Sequence, residues 1–254
     1  MIKFFLCFLI LQAGLYGTAT TQNFTQDDLN KLEGFFDYLI HNSAIGYSLC
    51  GEKPVSIETF PRISKIPLRY AIKIFMSHPG YSIVWNGWHV WQTYAHHFNS
   101  KKFALRFIPE YDTLVLVNKC SAKKVIEENL DLFHIHVDAQ KTADEFLEEL
   151  CAPLKIDYIS CKNTIILGIL LGYGRNNAIA FKNSYLQKLV PLDTEWNRYL
   201  DPFLKPSCMV INDGSNEMEN AKVRQTFKFA RQSLQSFFKK DHCFEIFVKL
   251  FTNE

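Results

Sequence analysis

The sequence predicts an α+β fold, a helix-dominated single domain with one β-hairpin at about residues 103–118 and a few short strands. Three observations carry that prediction. Apolar residues recur at three- and four-residue steps along much of the chain, as in Val223, Phe227, Ala230, Leu234 and Phe237, which lays one stripe along a helix. A clear strand signal is confined to residues 103–108 and 113–118, which flank the turn residues Pro109, Glu110, Tyr111 and Asp112. The chain is 48% hydrophobic and carries 22 Phe, enough to fill a sizeable core and too apolar for intrinsic disorder.

The elements follow in order. Lys3 is the only charge before Asp27, an apolar run from Phe4 to Leu11 follows it, and Gly17 and Ala19 put small residues before a cut after Ala19. That is the physical description of a secretory signal, so residues 1–19 are expected to be removed and the protein exported, periplasmic or secreted. The run is too short for a membrane anchor, which needs roughly 20 apolar residues. Leu6 stands before Cys7 where a lipidation site needs a small residue. No later stretch is long enough to span a bilayer.

Residues 20–254 remain and suit one α+β globular domain. Thr25 with Asp27 and Asp28 reads as an N-cap with acids in the first turn, and Leu29, Leu32, Phe36, Leu39 and Ile40 continue an amphipathic helix over 26–42. Residues 46–56 read as a short strand and a turn, and Pro67 starts a second helix through about Met76. Val84, Trp88, Trp91, Ala95 and Phe98 mark an aromatic helix. Ser121 caps a helix through about Phe133, and Thr142 with Glu145 forms a capping box for another ending near Cys151. After a strand at 156–160, residues 163–188 run from apolar to glycine-rich to amphipathic. Residues 191–206 read as a loop anchored by Trp196, 208–211 as a strand, and Asn212, Asp213 and Gly214 as a turn before the last long helix. A short apolar helix at 243–251 closes the chain.

Several function classes fall away. A net charge of +2 is too small to advertise nucleic-acid binding. Six cysteines follow the signal, Cys50, Cys120, Cys151, Cys161, Cys208 and Cys243. An even number in an exported protein permits disulfides, and at least one is expected. No C-x-x-C is present, so a thiol-redox motif or a common zinc module is not indicated.

The best chemical candidate is Gly172-Tyr173-Gly174-Arg175-Asn176-Asn177. Glycines before a helix N-terminus can aim backbone N–H groups at an anion, Arg175 adds a charged fork, and Lys53 is a further candidate. The third glycine of a dinucleotide fingerprint is replaced by Asn177, and no G-K-[ST] follows. The plainer reading is a helix that ends at a glycine C-cap and restarts near Asn176.

His134, His136 and Asp138 would share one face of a strand as metal ligands, but they run out of a predicted helix, where capping or surface roles suffice. His89 and His96 lie two turns apart, too far to chelate as H-x-x-x-H, so His89, His96 and His97 read as partly buried beside aromatic packing. Trp85, Trp88 and Trp91 fit a core stripe or an exposed apolar docking patch. Glu127, Glu128, Glu148 and Glu149 read as solvated helix faces. No G-x-S-x-G elbow occurs, and His242 beside Cys243 is adjacency in sequence only.

Two stretches carry a resemblance. The run Gly46-Tyr47-x-Leu49-x-Gly51-x-Lys53-Pro54-Val55-Ser56 and the run from Leu167 to Ala178 resemble motifs in a family of uncharacterised, apparently exported proteins of chlamydia-related bacteria. The resemblance implies a bacterial cell-envelope or exported context and carries no catalytic role over to this chain. The expectation is therefore an exported, non-enzymatic binding or envelope-associated protein, with no cofactor, no metal and a protein partner in the cell envelope. The alternative is an enzyme or small-molecule-binding domain acting on an anionic ligand at Gly172, Gly174, Arg175, Asn176, Asn177 and Lys53.

Overall fold

A computed structural model describes residues 24–60, 80–152, 163–183, 189–194, 201–239 and 242–252. The signal segment 1–19, the helix from Pro67, the strand at 156–160, Cys161 and Trp196 lie outside the described residues. Helix α1 (Gln26–Asn42) forms over the expected span. Thr25 Oγ1 accepts from Asp28 N at 3.1 Å, and the Asp28 side chain accepts from Thr25 N, so the first turn is capped reciprocally. Residues 46–49 are a short helix, α2 (Ile45–Leu49), and not the strand their alternation predicts. Ser43 Oγ accepts from Ile45 N at 3.1 Å and starts the turn locally. A strand begins only after Pro54, as β1 (Val55–Thr59).

β2 (Phe103–Ile108) and β3 (Thr113–Asn118) make the expected antiparallel hairpin, with Phe103 opposite Asn118 and Ile108 opposite Thr113. β1 pairs with the other edge of β3, running from Val55 opposite Val117 to Thr59 opposite Thr113. The order β1-β3-β2 leaves β3 central and buried along its whole length. Alternation along a strand then divides the interior. Leu114 and Leu116 enter an aromatic core shared with α1, α3 (Gly80–Tyr94) and two C-terminal helices, α9 (Glu217–Phe237) and α10 (Cys243–Thr252). The Phe36 ring lies 5.2 Å from Trp91 and 4.1 Å from Phe247, centroid to centroid. Val115 and Val117 enter an aliphatic core with α4 (Lys119–Glu128), α6 (Ala143–Cys151), α7 (Thr164–Leu170) and α8 (Arg175–Lys182).

Asn118, and not Ser121, caps α4: its side chain accepts from Ser121 N at 3.2 Å. That helix breaks at Asn129, whose amide donates to Val125 O, and α5 (Leu130–His136) resumes beyond it. The capping box of Thr142 and Glu145 starts α6. Trp88 and Trp91 are buried in the aromatic core, so the tryptophans do not form an exposed docking patch. Val223, Phe227, Ala230 and Leu234 are buried along α9, but Phe237 is 47% exposed because the helix ends there and Phe238 takes the buried place.

β4 (Leu189–Pro191) and β5 (Met209–Ile211) form a second, two-stranded ribbon. Among the described residues Cys50, Cys120, Cys151 and Cys208 are free, so the expected disulfide does not form at those positions. Cys208 and Cys243 sit in the aromatic core as small hydrophobes. No described helix is long and apolar enough to cross a membrane.

Candidate functional site

The glycine-rich turn joins α7 to α8. Gly172 adopts φ +79°, Gly172 N donates to Ile169 O at 2.9 Å and Tyr173 N donates to Gly168 O at 3.0 Å, a glycine C-cap that satisfies the last carbonyls of α7. Gly174, at φ 89° and ψ 161°, is the N-cap of α8. Only glycine adopts that backbone region without strain, and a Cβ there would lie 2.3 Å from Glu219 Oε1. The reason for that closeness is electrostatic. Asn176 N donates to Glu219 Oε2 at 3.1 Å and Asn177 N to Glu219 Oε1 at 3.2 Å. The anion at this helix N-terminus is thus supplied by α9 of the same chain.

The neighbouring groups are engaged as well. Arg175 donates to both oxygens of Asp131, at 2.8 and 2.6 Å, and that guanidinium holds the Asp131 carboxyl down to about 2. Asn177 is buried; its amide donates to Tyr173 O and Asn220 Oδ1, and its carbonyl accepts from Ile211 N and Asn216 Nδ2, each at 3.0 Å. Asn176 donates to Asn216 Oδ1 at 2.9 Å. This asparagine cluster clamps α8 to β5 and to the start of α9. Of the six residues singled out in the sequence, Gly172, Gly174, Arg175 and Lys53 line one cleft of about 550 Å³, together with Lys102 and Lys124. Asn176 and Asn177 do not line it; their side chains are spent on the clamp.

Lys53 separates that cleft from a second one. Only 4% exposed, it donates from Nζ to Val55 O and to Leu171 O, both at 2.8 Å, and lies 5.7 Å from the centre of the Tyr173 ring. Two carbonyls and an aromatic face stand where a carboxylate would otherwise balance the ammonium, and burial pushes its pKa down to about 7. The second cleft, also about 550 Å³, is walled mainly by apolar groups, among them Tyr47, Ile57, Leu171, Tyr173 and Phe227. Its polar points include Lys53, Lys205 and Glu58. Glu58 has no hydrogen bond or ion pair among the described residues, and burial pushes its carboxyl up to about 7. Tyr47 donates its hydroxyl to Leu204 O at 2.9 Å, which ties the loop after residue 201 to α2. An apolar cleft with two titratable groups drawn toward neutrality is a recognised mark of a ligand site.

Sequence reasoning reached Lys53 beside the glycine turn, with which it shares one cleft, and did not single out Glu58. The available signal was the continuation of β1 beyond Ser56, where a charged residue follows Ile57.

The remaining candidates bring no site together. His134 and His136 lie on α5, so the strand arrangement does not form; His134 Nε2 is 2.9 Å from Lys141 O. His89, His96 and His97 are exposed; the His89 ring lies 6.4 Å from that of Trp85, and His96 and His97 sit in the short turn after α3. Glu127, Glu128 and Glu148 are exposed on helix faces. Arg106, on β2, was not singled out at all. It is 7% exposed, its guanidinium nitrogens have no hydrogen-bond partner among the described residues, and burial pulls its pKa down to about 10. Compared with protein-family models, curated proteins and solved structures, the chain matches none of them.

Proposed function

We propose that the chain is an exported, non-enzymatic binding protein of the bacterial cell envelope. Its ligand is a mostly apolar small molecule with one acidic group, held in the cleft between β1 and Tyr173. The observation that carries this reading is the cleft itself: apolar walls around Lys53, whose two hydrogen bonds leave an ammonium one donor for a ligand acid. Glu58 adds a carboxyl that is largely protonated below about pH 7 and is then able to donate as well. The export half of the proposal rests on the charged start, apolar run and small residues of the first nineteen positions, and on the family resemblance.

A second reading keeps the anionic ligand at the glycine turn, as an enzyme or a small-molecule-binding domain. It is supported by the convergence of Gly172, Gly174, Arg175 and Lys53 with Lys102 and Lys124 on one cleft. It is weakened by Glu219 and Asp131, which already occupy the backbone donors and the arginine fork.

Thermal melting of the protein from residue 20 onward separates the two readings. The panel is straight-chain and aromatic carboxylic acids in one arm, inorganic phosphate and nucleotides in the other. A ligand at a hundred times its Kd stabilises by about 2.7 kcal/mol. A rise with an apolar acid that is lost in Lys53→Met is the expected result. A rise only with phosphates, lost in Arg175→Ala, transfers the site to the glycine turn. A flat panel on folded protein removes both.

A further inference from the structure

We infer that Asp37, His41 and Cys243 form a zinc site with one open coordination position. Asp37 and His41 stand one turn apart on α1, and Cys243 is the first residue of α10. What brings them together is Glu33, one turn earlier on α1. Its carboxylate accepts from His242 N at 2.9 Å, Cys243 N at 2.6 Å and Phe244 N at 3.0 Å, and so pins the start of α10 onto α1. Cys243 Sγ then lies 3.7 Å from Asp37 Oδ1, and His41 Nδ1 lies 3.1 Å from the same oxygen. All three donor atoms fall within 4.8 Å of one another.

Those separations are close to the edges of a metal tetrahedron. With Zn–S of about 2.3 Å and Zn–N and Zn–O of about 2.0 Å, ligand atoms sit roughly 3.3–3.6 Å apart. His41 Nδ1 also lies 3.0 Å from Asp37 O, a contact that metal binding would replace. The imidazole plane is held by stacking on Phe203, with centroids 5.1 Å apart and planes 7° apart.

The donor set names the metal. One thiolate, one imidazole and one carboxylate suit zinc, whereas magnesium and calcium take oxygen ligands. Cys243 is buried, His41 half-buried and Asp37 exposed, so an ion enters from the Asp37 side and its fourth position faces water. On binding, the Cys243 thiol gives up its proton to solvent as the metal–sulfur bond forms. The sequence hides this site because Cys243 is 206 positions from Asp37; only the Glu33 cap makes them neighbours.

The test is a cobalt(II) titration of the reduced protein from residue 20 onward, followed by absorbance. The expected result is a thiolate-to-cobalt band that saturates at one equivalent, disappears on adding zinc and is absent in Cys243→Ser. If Cys243→Ser does not fold, Asp37→Asn at the exposed ligand gives the same decision. It keeps the thiol, and cobalt affinity is expected to fall at least about tenfold. No band in the parent protein, an unchanged band in folded Cys243→Ser, or unchanged affinity in Asp37→Asn each overturns the site. None of these results depends on the cleft beside Lys53.

Discussion

The two sides of the glycine turn differ in how their polar groups are met. On the α8 side the groups of the turn itself are met: the N–H donors of Asn176 and Asn177 meet Glu219, Arg175 meets Asp131, and Asn177 is held through both ends of its amide. On the β1 side, burial leaves Lys53 on two carbonyls and Glu58 without a partner among the described residues. A closed polar network rigidifies a fold, whereas an under-partnered one in a cleft is free to take a ligand. The side chains of Asn176, Asn177 and Arg175 in the glycine motif are engaged within the fold, and the proposed ligand site lies behind it.

The largest effect expected from breaking this contrast is at Gly174. Gly174→Ala forces a side chain into a glycine-only conformation and against Glu219, at a cost of about 3 kcal/mol. Urea denaturation measures it, and a loss below about 0.5 kcal/mol would mean that the turn is not clamped as described. Asn177→Ala removes both ends of the amide and leaves Ile211 N and Asn220 Oδ1 short of a partner, for roughly 2–3 kcal/mol in the same assay. If the clamp is structural, neither variant alters ligand affinity at temperatures where it stays folded.

Arg106 sharpens the contrast from the opposite direction. Replacing a buried guanidinium that has no partner among the described residues by a flexible apolar side chain removes a desolvation penalty, so Arg106→Met is expected to stabilise by about 1–2 kcal/mol. A destabilised Arg106→Met would show that the guanidinium is satisfied by something this reading leaves out.

The smallest effects are in the pH profile. The folded pKa of Glu58, about 7, lies above its ordinary 4.5, so its stabilising contribution is full below pH 4.5 and is lost as pH rises through 7. The folded pKa of Lys53, about 7, lies below 10.5, so its contribution is full above pH 10.5 and is lost as pH falls through 7. Melting temperature relative to Glu58→Gln is expected to fall between pH 4.5 and 7. Relative to Lys53→Met it rises between pH 7 and 10.5. Flat difference profiles contradict the burial assigned to these groups.

Much of the architecture was legible in the sequence because it is local. The helix over 26–42, the hairpin, the Thr142 capping box and the stripe from Val223 to Leu234 each follow from spacing within one element. Local capping choices were less legible, as at Ser43, which starts a helix over residues that alternate like a strand. The site was the least legible. Glu219 reaches Asn176 from 43 positions away, and Leu171 accepts from Lys53 across 118. No spacing rule announces either pairing. The glycines were visible as a helix-to-helix junction, but the carboxylate that fills it was not.

The central claim is that the under-partnered side of the turn, and not the glycine motif, receives the ligand. The most direct measurement is fluorescence titration with anilinonaphthalene sulfonate, an apolar anion, on the folded parent protein, Lys53→Met and Arg175→Ala. The account predicts one saturable site whose affinity falls at least about tenfold in Lys53→Met, a difference of 1.4 kcal/mol, and holds in Arg175→Ala. Affinity lost in Arg175→Ala and kept in Lys53→Met would contradict it.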